Sequence, residues 1–275
     1  MKKGNIAIVI IFLILLLLML FYFLFLSHPR HPRRPVTQKA QFNAIQAGIE
    51  LFSNKNDGYP PSEALDPNGQ PYCGAMKLSE AMMGRDLLGF HPDSVFRADG
   101  MDTTNTKQIY PVPPKPEDLK ARMGTLLQYE NANAYRLLDI YGSGNTGPFK
   151  ESHFVLCDVY TRKMGTGYKT GMPILYYKAN TSNTEHDVNN PDNPKNTYNY
   201  KDNHALLSLD ISGQPNEKHP LFTNPRIFYE MTKDRNVSTG SKPNREDSYI
   251  LISAGKDGLY GTADDICNFE WKYRE

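Results

Sequence analysis

Almost no net charge is present in this sequence. Lys and Arg total 31 and Asp and Glu total 30, leaving +1. No global field therefore draws the chain to nucleic acid or to an acidic surface. Cysteine is scarce, at three residues, which neither demands nor forbids an oxidising compartment. Only one long hydrophobic run exists, so a polytopic membrane protein is excluded. Several catalytic signatures are missing. The seven histidines show no H-x-x-x-H or H-E-x-x-H spacing, and there is no G-x-S-x-G elbow, P-loop or G-x-G-x-x-G turn. The reading from these absences is a non-enzymatic protein.

What is abundant points to loops. The chain holds 20 Gly and 20 Pro, which excludes an all-helical bundle. Aromatics make up 11% of its 275 residues, too many for a chain that buries nothing. Mean hydropathy is −0.55 although the first 26 residues are nearly all apolar, so the remainder is distinctly polar. The class expected is α+β.

Ile6 to Leu26 is a stretch of 21 residues without charge or Pro. At about 1.5 Å per residue it would span about 30 Å as a helix, the thickness of a bilayer core. It is too long for a signal-peptide core, and no A-x-A-like cleavage site follows, so an uncleaved anchor over 1–26 is expected. Lys2 and Lys3 precede the run; Arg30, Arg33 and Arg34 follow it. Charge alone slightly favours a cytoplasmic body. Pro29, Pro32 and Pro35 make 27–35 a juxtamembrane break.

From Thr37, a plausible N-cap, Phe42, Ile45, Ile49 and Phe52 recur at helical spacing and define a packing stripe. The stripe ends at the turn formers Asn54 to Gly58. A short helix is expected around Leu78–Leu88, and mixed helical signals, broken by Gly124, run from Leu119 to Tyr141. Strands are predicted at Phe154–Tyr160, Pro173–Tyr177, Ala205–Leu209 and Tyr249–Ile252. The Asn- and Pro-rich stretch 178–203 reads as a long surface insertion in a domain covering 36–275. Tyr129, Tyr135, Tyr141, Tyr198 and Tyr200 read as ordinary half-buried residues, and Trp271 as packing on the last strand.

The sharpest local feature is Ser253-Ala254-Gly255-Lys256-Asp257-Gly258-Leu259-Tyr260-Gly261-Thr262-Ala263-Asp264-Asp265-Ile266. Calcium takes six to eight oxygens from carboxylates and carbonyls, and a Gly-punctuated loop can supply both. The spacing is not that of an EF-hand, and on spacing alone a hairpin whose aspartates satisfy turn amides is the alternative reading, since Asp-Gly turns are common. Cys157 and Cys267 allow either a bridge or two buried thiols, with Cys73 left over.

The order of these features resembles the type II secretion pseudopilins and related type IV pilin-like proteins. An N-terminal apolar helix leads into Gln41 to Phe52. The segment Asn56-Asp57-Gly58-Tyr59-Pro60-Pro61-Ser62 then resembles the family's NGxYP step. Tyr249 to Gly258 with Gly261-Thr262-Ala263-Asp264-Asp265-Ile266 resembles its C-terminal loop. The likeness covers about the first 62 and last 30 residues. After Lys2-Lys3-Gly4, which resembles a prepilin leader, Asn5-Ile6 follow, and the Glu of the Phe-Thr-x-x-Glu motif is absent. The resemblance implies a pilin-like fold, the helix packed on an antiparallel sheet. It implies calcium held by Asp257, Asp264 and Asp265 with carbonyls of Ala254 and Leu259. It also implies partners among other pilin-like subunits or secretion-system proteins, membrane attachment through 6–26, and an extracytoplasmic C-terminal body. The alternative is an anchored adhesion module that binds through the insertion.

Overall fold

The computed structural model describes Met19 and residues 33–210, 217–237 and 241–270. The chain divides into two units, 1–36 and 37–275. The second contains the body.

Helix α1 spans Arg33–Asn56. Pro35 falls in its first turn, where a missing N–H is harmless. Its end is set by Asp57 and Gly58, both at positive φ, with the Gly58 amide donating to the Ser53 carbonyl at 3.3 Å. The predicted stripe is buried: Phe42, Ile45, Ile49 and Phe52 are all 3% exposed or less. Phe52 meets Phe90 edge-on at 5.0 Å. Two buried glutamines, absent from the apolar pattern, complete the attachment. Gln38 accepts from the Val159 amide at 2.9 Å, and Gln41 donates to the carbonyls of Asn131 and Cys157, each at 2.9 Å. Buried polar groups of this kind are retained because every partner is supplied.

Helix α2 (Gly74–Met83) is buried along its whole length. Gly74 allows this, because a Cβ there would come within 2.3 Å of the Tyr176 carbonyl. Short helices α3 (Pro116–Ala121) and α4 (Tyr129–Ala132) follow. Strand β1 (Ala134–Arg136), helix α5 (Leu137–Tyr141) and strand β2 (Phe154–Leu156) come next, with β1 and β2 pairing antiparallel. Strands β3 (Arg162–Lys163) and β4 (Lys169–Thr170) form a small hairpin. The main sheet joins β5 (Leu175–Lys178), β6 (Tyr249–Ser253) and β7 (Ile266–Cys267), all antiparallel, with Leu175 opposite Ile252 and Ile252 opposite Cys267. Central β6 is buried on both faces, which is why it reads as a continuous apolar run. Helix α2 packs against β2 and β5. The class is α+β, as expected.

Several expectations change. The helix expected over Leu78–Leu88 runs from Gly74 and stops at Met83, where Gly84 at positive φ turns the chain. Ala205–Leu209 is not a strand. A 3-10 turn (Tyr200–Asn203) leads into helix α6 (His204–Leu207), and the Asn199 side chain starts it by accepting from the Lys201 amide. Short apolar runs do not distinguish strand from helix by period alone. Helices α7 (Pro220–Thr223) and α8 (Arg226–Thr232) were not anticipated.

The insertion is held by its asparagines. Asn183 donates to the carbonyls of Pro194 and Asn196 at 3.0 and 2.9 Å, and Asn196 accepts from the Asp187 amide at 2.7 Å. Within it Tyr198 is fully buried, its hydroxyl donating to the Arg245 carbonyl at 2.6 Å.

The expectation of a single-pass membrane protein with an extracytoplasmic body is corrected. Among the described residues no helix is long and apolar enough to cross a membrane. The longest one described, α1, carries Lys39, Gln41, Asn43, Gln46 and Glu50, and such groups are costly in hydrocarbon. The run 6–26 lies outside the described residues except for Met19. Trp271 also lies outside them.

Candidate functional site

The acidic loop connects β6 to β7. Its three glycines, Gly255, Gly258 and Gly261, all sit at positive φ, the region a Cβ disfavours. Its start is anchored by Ser253, whose hydroxyl donates to Asp158 at 2.9 Å and accepts from the Gly255 amide at 3.2 Å. Asp158 is wholly buried and also accepts the amides of Tyr160 and Met172 at 3.1 and 3.2 Å. Burial pushes its carboxyl up to about 6 in spite of these bonds.

Asp264 staples the two limbs. One oxygen accepts the amides of Lys256 and Asp257 at 2.6 and 3.0 Å, and the other accepts the Thr262 hydroxyl at 2.7 Å. Burial opposes its charge, but these bonds outweigh it and hold the carboxyl below the usual range. Asp257 accepts the Leu259 amide at 2.8 Å. Burial, and then the neighbouring Asp264, push Asp257 up.

Asp265 differs from both. It is 7% exposed and accepts the Gly261 amide at 2.7 Å through one oxygen. Its Oδ1 is buried and has no hydrogen-bond partner among the described residues. Burial, followed by the charges of Asp257 and Asp264, raises this carboxyl well above normal. Leaving such an oxygen unpaired costs about 1–3 kcal/mol. Asp265 is among the residues lining a groove of about 540 Å³ with Lys39, Phe42 and Asn43 of α1.

Of the predicted carbonyls, Ala254 accepts the Gly258 amide at 3.2 Å and Leu259 accepts the Thr262 hydroxyl at 3.3 Å. Each keeps a second lone pair. Among the described residues no group of three or more His, Cys, Asp or Glu side chains is arranged to hold a metal ion. The loop's donors are nonetheless all hard oxygens, the kind calcium takes.

Arg162, in the β3–β4 hairpin, gave no signal in the sequence. Its guanidinium donates to the carbonyls of Asp257 and Gly255, each at 3.1 Å. It lies so close to Gly258 that a Cβ there would fall 1.2 Å from Nη1. Gly258 is thus required by its φ, and a Cβ there would in addition displace the Arg162 guanidinium.

Cys73, Cys157 and Cys267 are free and buried, so the two-thiol alternative holds for Cys157 and Cys267. Burial pushes Cys73 up to about 11, which keeps it an unreactive thiol.

Compared with family models, curated proteins and solved structures, the chain matches none, so the pseudopilin resemblance and a place in secretion draw no support there.

Proposed function

We propose that this chain is a non-enzymatic, pilin-like structural subunit whose C-terminal loop is stiffened by calcium. The observation that carries the reading is Asp265, a buried carboxylate with an unpaired oxygen beside Asp257 and Asp264. A divalent cation held by Asp257, Asp264 and Asp265, with the Ala254 and Leu259 carbonyls, would offset the burial, and after it the mutual repulsion, that raise two of the three carboxyls. The α1 stripe shares one hydrophobic core with the antiparallel sheet whose last two strands bracket the loop, which supports the pilin-like part.

The buried stripe Phe42, Ile45, Ile49 and Phe52 holds α1 to its own subunit. Contacts with other subunits would therefore use the opposite, exposed face, which includes Asn43, Ala47 and Glu50. A photocrosslinker at position 47 in the full chain is expected to join copies of the protein. Monomer alone at working concentration would count against assembly through that face.

A calcium titration tests the loop. A ligand that binds only the folded state at a hundred times its Kd stabilises by about 2.7 kcal/mol. For a body of this size that corresponds to a Tm rise of about 5–10 °C. The rise should reverse with chelator, fail with magnesium and vanish in Asp264→Asn. An unchanged Tm at millimolar calcium would remove the metal from the proposal.

A further inference from the structure

A second site-like feature lies away from the acidic loop. The insertion closes over the segment Ser62–Glu63 to form a cleft of about 520 Å³, within the size range of small-molecule sites. Its walls are fixed in advance. Asn183 and Asn196 hold the insertion's backbone as described, and the Tyr229 hydroxyl donates to the Tyr198 carbonyl at 2.9 Å. Prefixed walls lower the ordering cost of binding.

Asp202 lines this cleft and is 4% exposed. The hydroxyl of Ser62 donates to its Oδ2 at 2.5 Å, and this is its hydrogen-bond partner among the described residues. The nearest buried cation, Lys77, does not pair with it. Lys77 donates instead to the carbonyls of Glu63 and Leu65 at 2.8 and 2.9 Å. A buried carboxyl without an ionic partner destabilises a fold, and such groups concentrate where ligands bind.

The chemistry of the walls narrows the ligand. Formal charges nearly balance across the lining, with Lys178 and Lys201 against Glu63, Asp192 and the buried Asp202, and Lys201 pairs with Asp192 at 2.6 Å. No strong field of one sign is left to attract an ion. The two lining tyrosines, Tyr198 and Tyr229, are fully buried and offer no ring face for stacking. What remains are amides, hydroxyls and carbonyls, which recognise a ligand dense in hydroxyl groups and without net charge.

We infer that this cleft binds a short neutral carbohydrate of one to three sugar units, with Asp202 and Ser62 hydrogen-bonding its hydroxyls. The site is independent of the calcium loop and of the pilin-like reading. Recognition by hydrogen bonds alone, without stacking, places the affinity in the millimolar range.

Saturation-transfer NMR on the full chain tests this. The probes are glucose, galactose, mannose, N-acetylglucosamine and their common disaccharides. At least one is expected to give a saturable signal. Thr181→Trp, at an exposed lining position, should weaken it at least tenfold with Tm unchanged. Asp202→Ala should also weaken it at least tenfold, with no constraint on Tm; should that variant not fold, Thr181→Trp alone decides. Absence of saturable binding by every probe overturns the inference. So does binding that survives Thr181→Trp, or binding of charged sugars only.

Discussion

Asp202→Asn is expected to stabilise the protein at alkaline pH and to leave it nearly unchanged at pH 4. Burial is the largest influence on Asp202, and it pushes the carboxyl up to about 8 against an ordinary value of 3.8. The Ser62 hydrogen bond pulls the other way, Glu63 adds to the rise and Lys77 opposes it. Between pH 4 and pH 8 the native state therefore holds a proton that the unfolded state has lost. Stability must fall as pH rises through that window, because the native state binds more protons there. The contribution is fully present below pH 4 and is gone above pH 8. Each pH unit is worth about 1.4 kcal/mol, so the upper limit is about 6 kcal/mol. Asparagine has nearly the same shape, still accepts the Ser62 hydroxyl, and does not titrate. Denaturant unfolding at pH 4, 6 and 8.5 should show the variant gaining on the native protein by about 3–5 kcal/mol across the series. Asp158 and Asp265 are also raised by burial, but they titrate in both proteins and cancel in the difference. Parallel stability curves would show that Asp202 is ionised in the folded protein.

The sequence made some of this structure legible and concealed the rest for definable reasons. Helix α1 was legible because its buried positions follow one period. β6 was legible because a strand covered on both faces must be apolar throughout. The positive-φ glycines of the acidic loop were legible because few other residues fill those positions. What could not be read depends on partners far along the chain. Gln41 looks like a solvent residue until the Cys157 carbonyl, 116 residues later, is placed against it. Arg162 meets the loop across 95 residues. The Ser62–Asp202 pair spans 140 residues and joins the segment after α1 to the surface insertion. Asparagine-rich composition marks a surface insertion but does not show that the insertion is held in place. In the structure those amides replace the sheet and helix bonds the segment lacks, as turn-forming side chains can. The three aspartates were predicted as one set. They divide because Asp264 is taken up by two backbone amides and the Thr262 hydroxyl, whereas Asp265 keeps one oxygen without a partner among the described residues.

Truncating the α1 stripe should be the most damaging single change in the body. Ile45 and Ile49 are both fully buried in the core cluster shared with α2 and the main sheet. Ile→Ala in such a setting costs about 2–5 kcal/mol, from lost transfer energy and from the cavity left behind. The lower end applies where neighbours can relax into the space. Near Ile49 they have little freedom: Gly48 already admits the Met82 sulfur so closely that a Cβ would lie 2.8 Å from it. Each substitution is expected to lower Tm by about 5–15 °C. The control is Leu51→Ala on the same helix. Leu51 is 51% exposed, and its loss should change stability by no more than about 0.5 kcal/mol. Alanine also raises helix propensity at all of these positions, so propensity alone predicts stabilisation at 45 and 49, opposite to packing. Because Ile45 and Ile49 lie one helical turn apart in the same core cluster, the double variant should fall short of the sum of the singles. Equal, small effects at 45, 49 and 51 would mean that α1 is not docked on its own body, and would return the stripe to the role of a contact with other subunits.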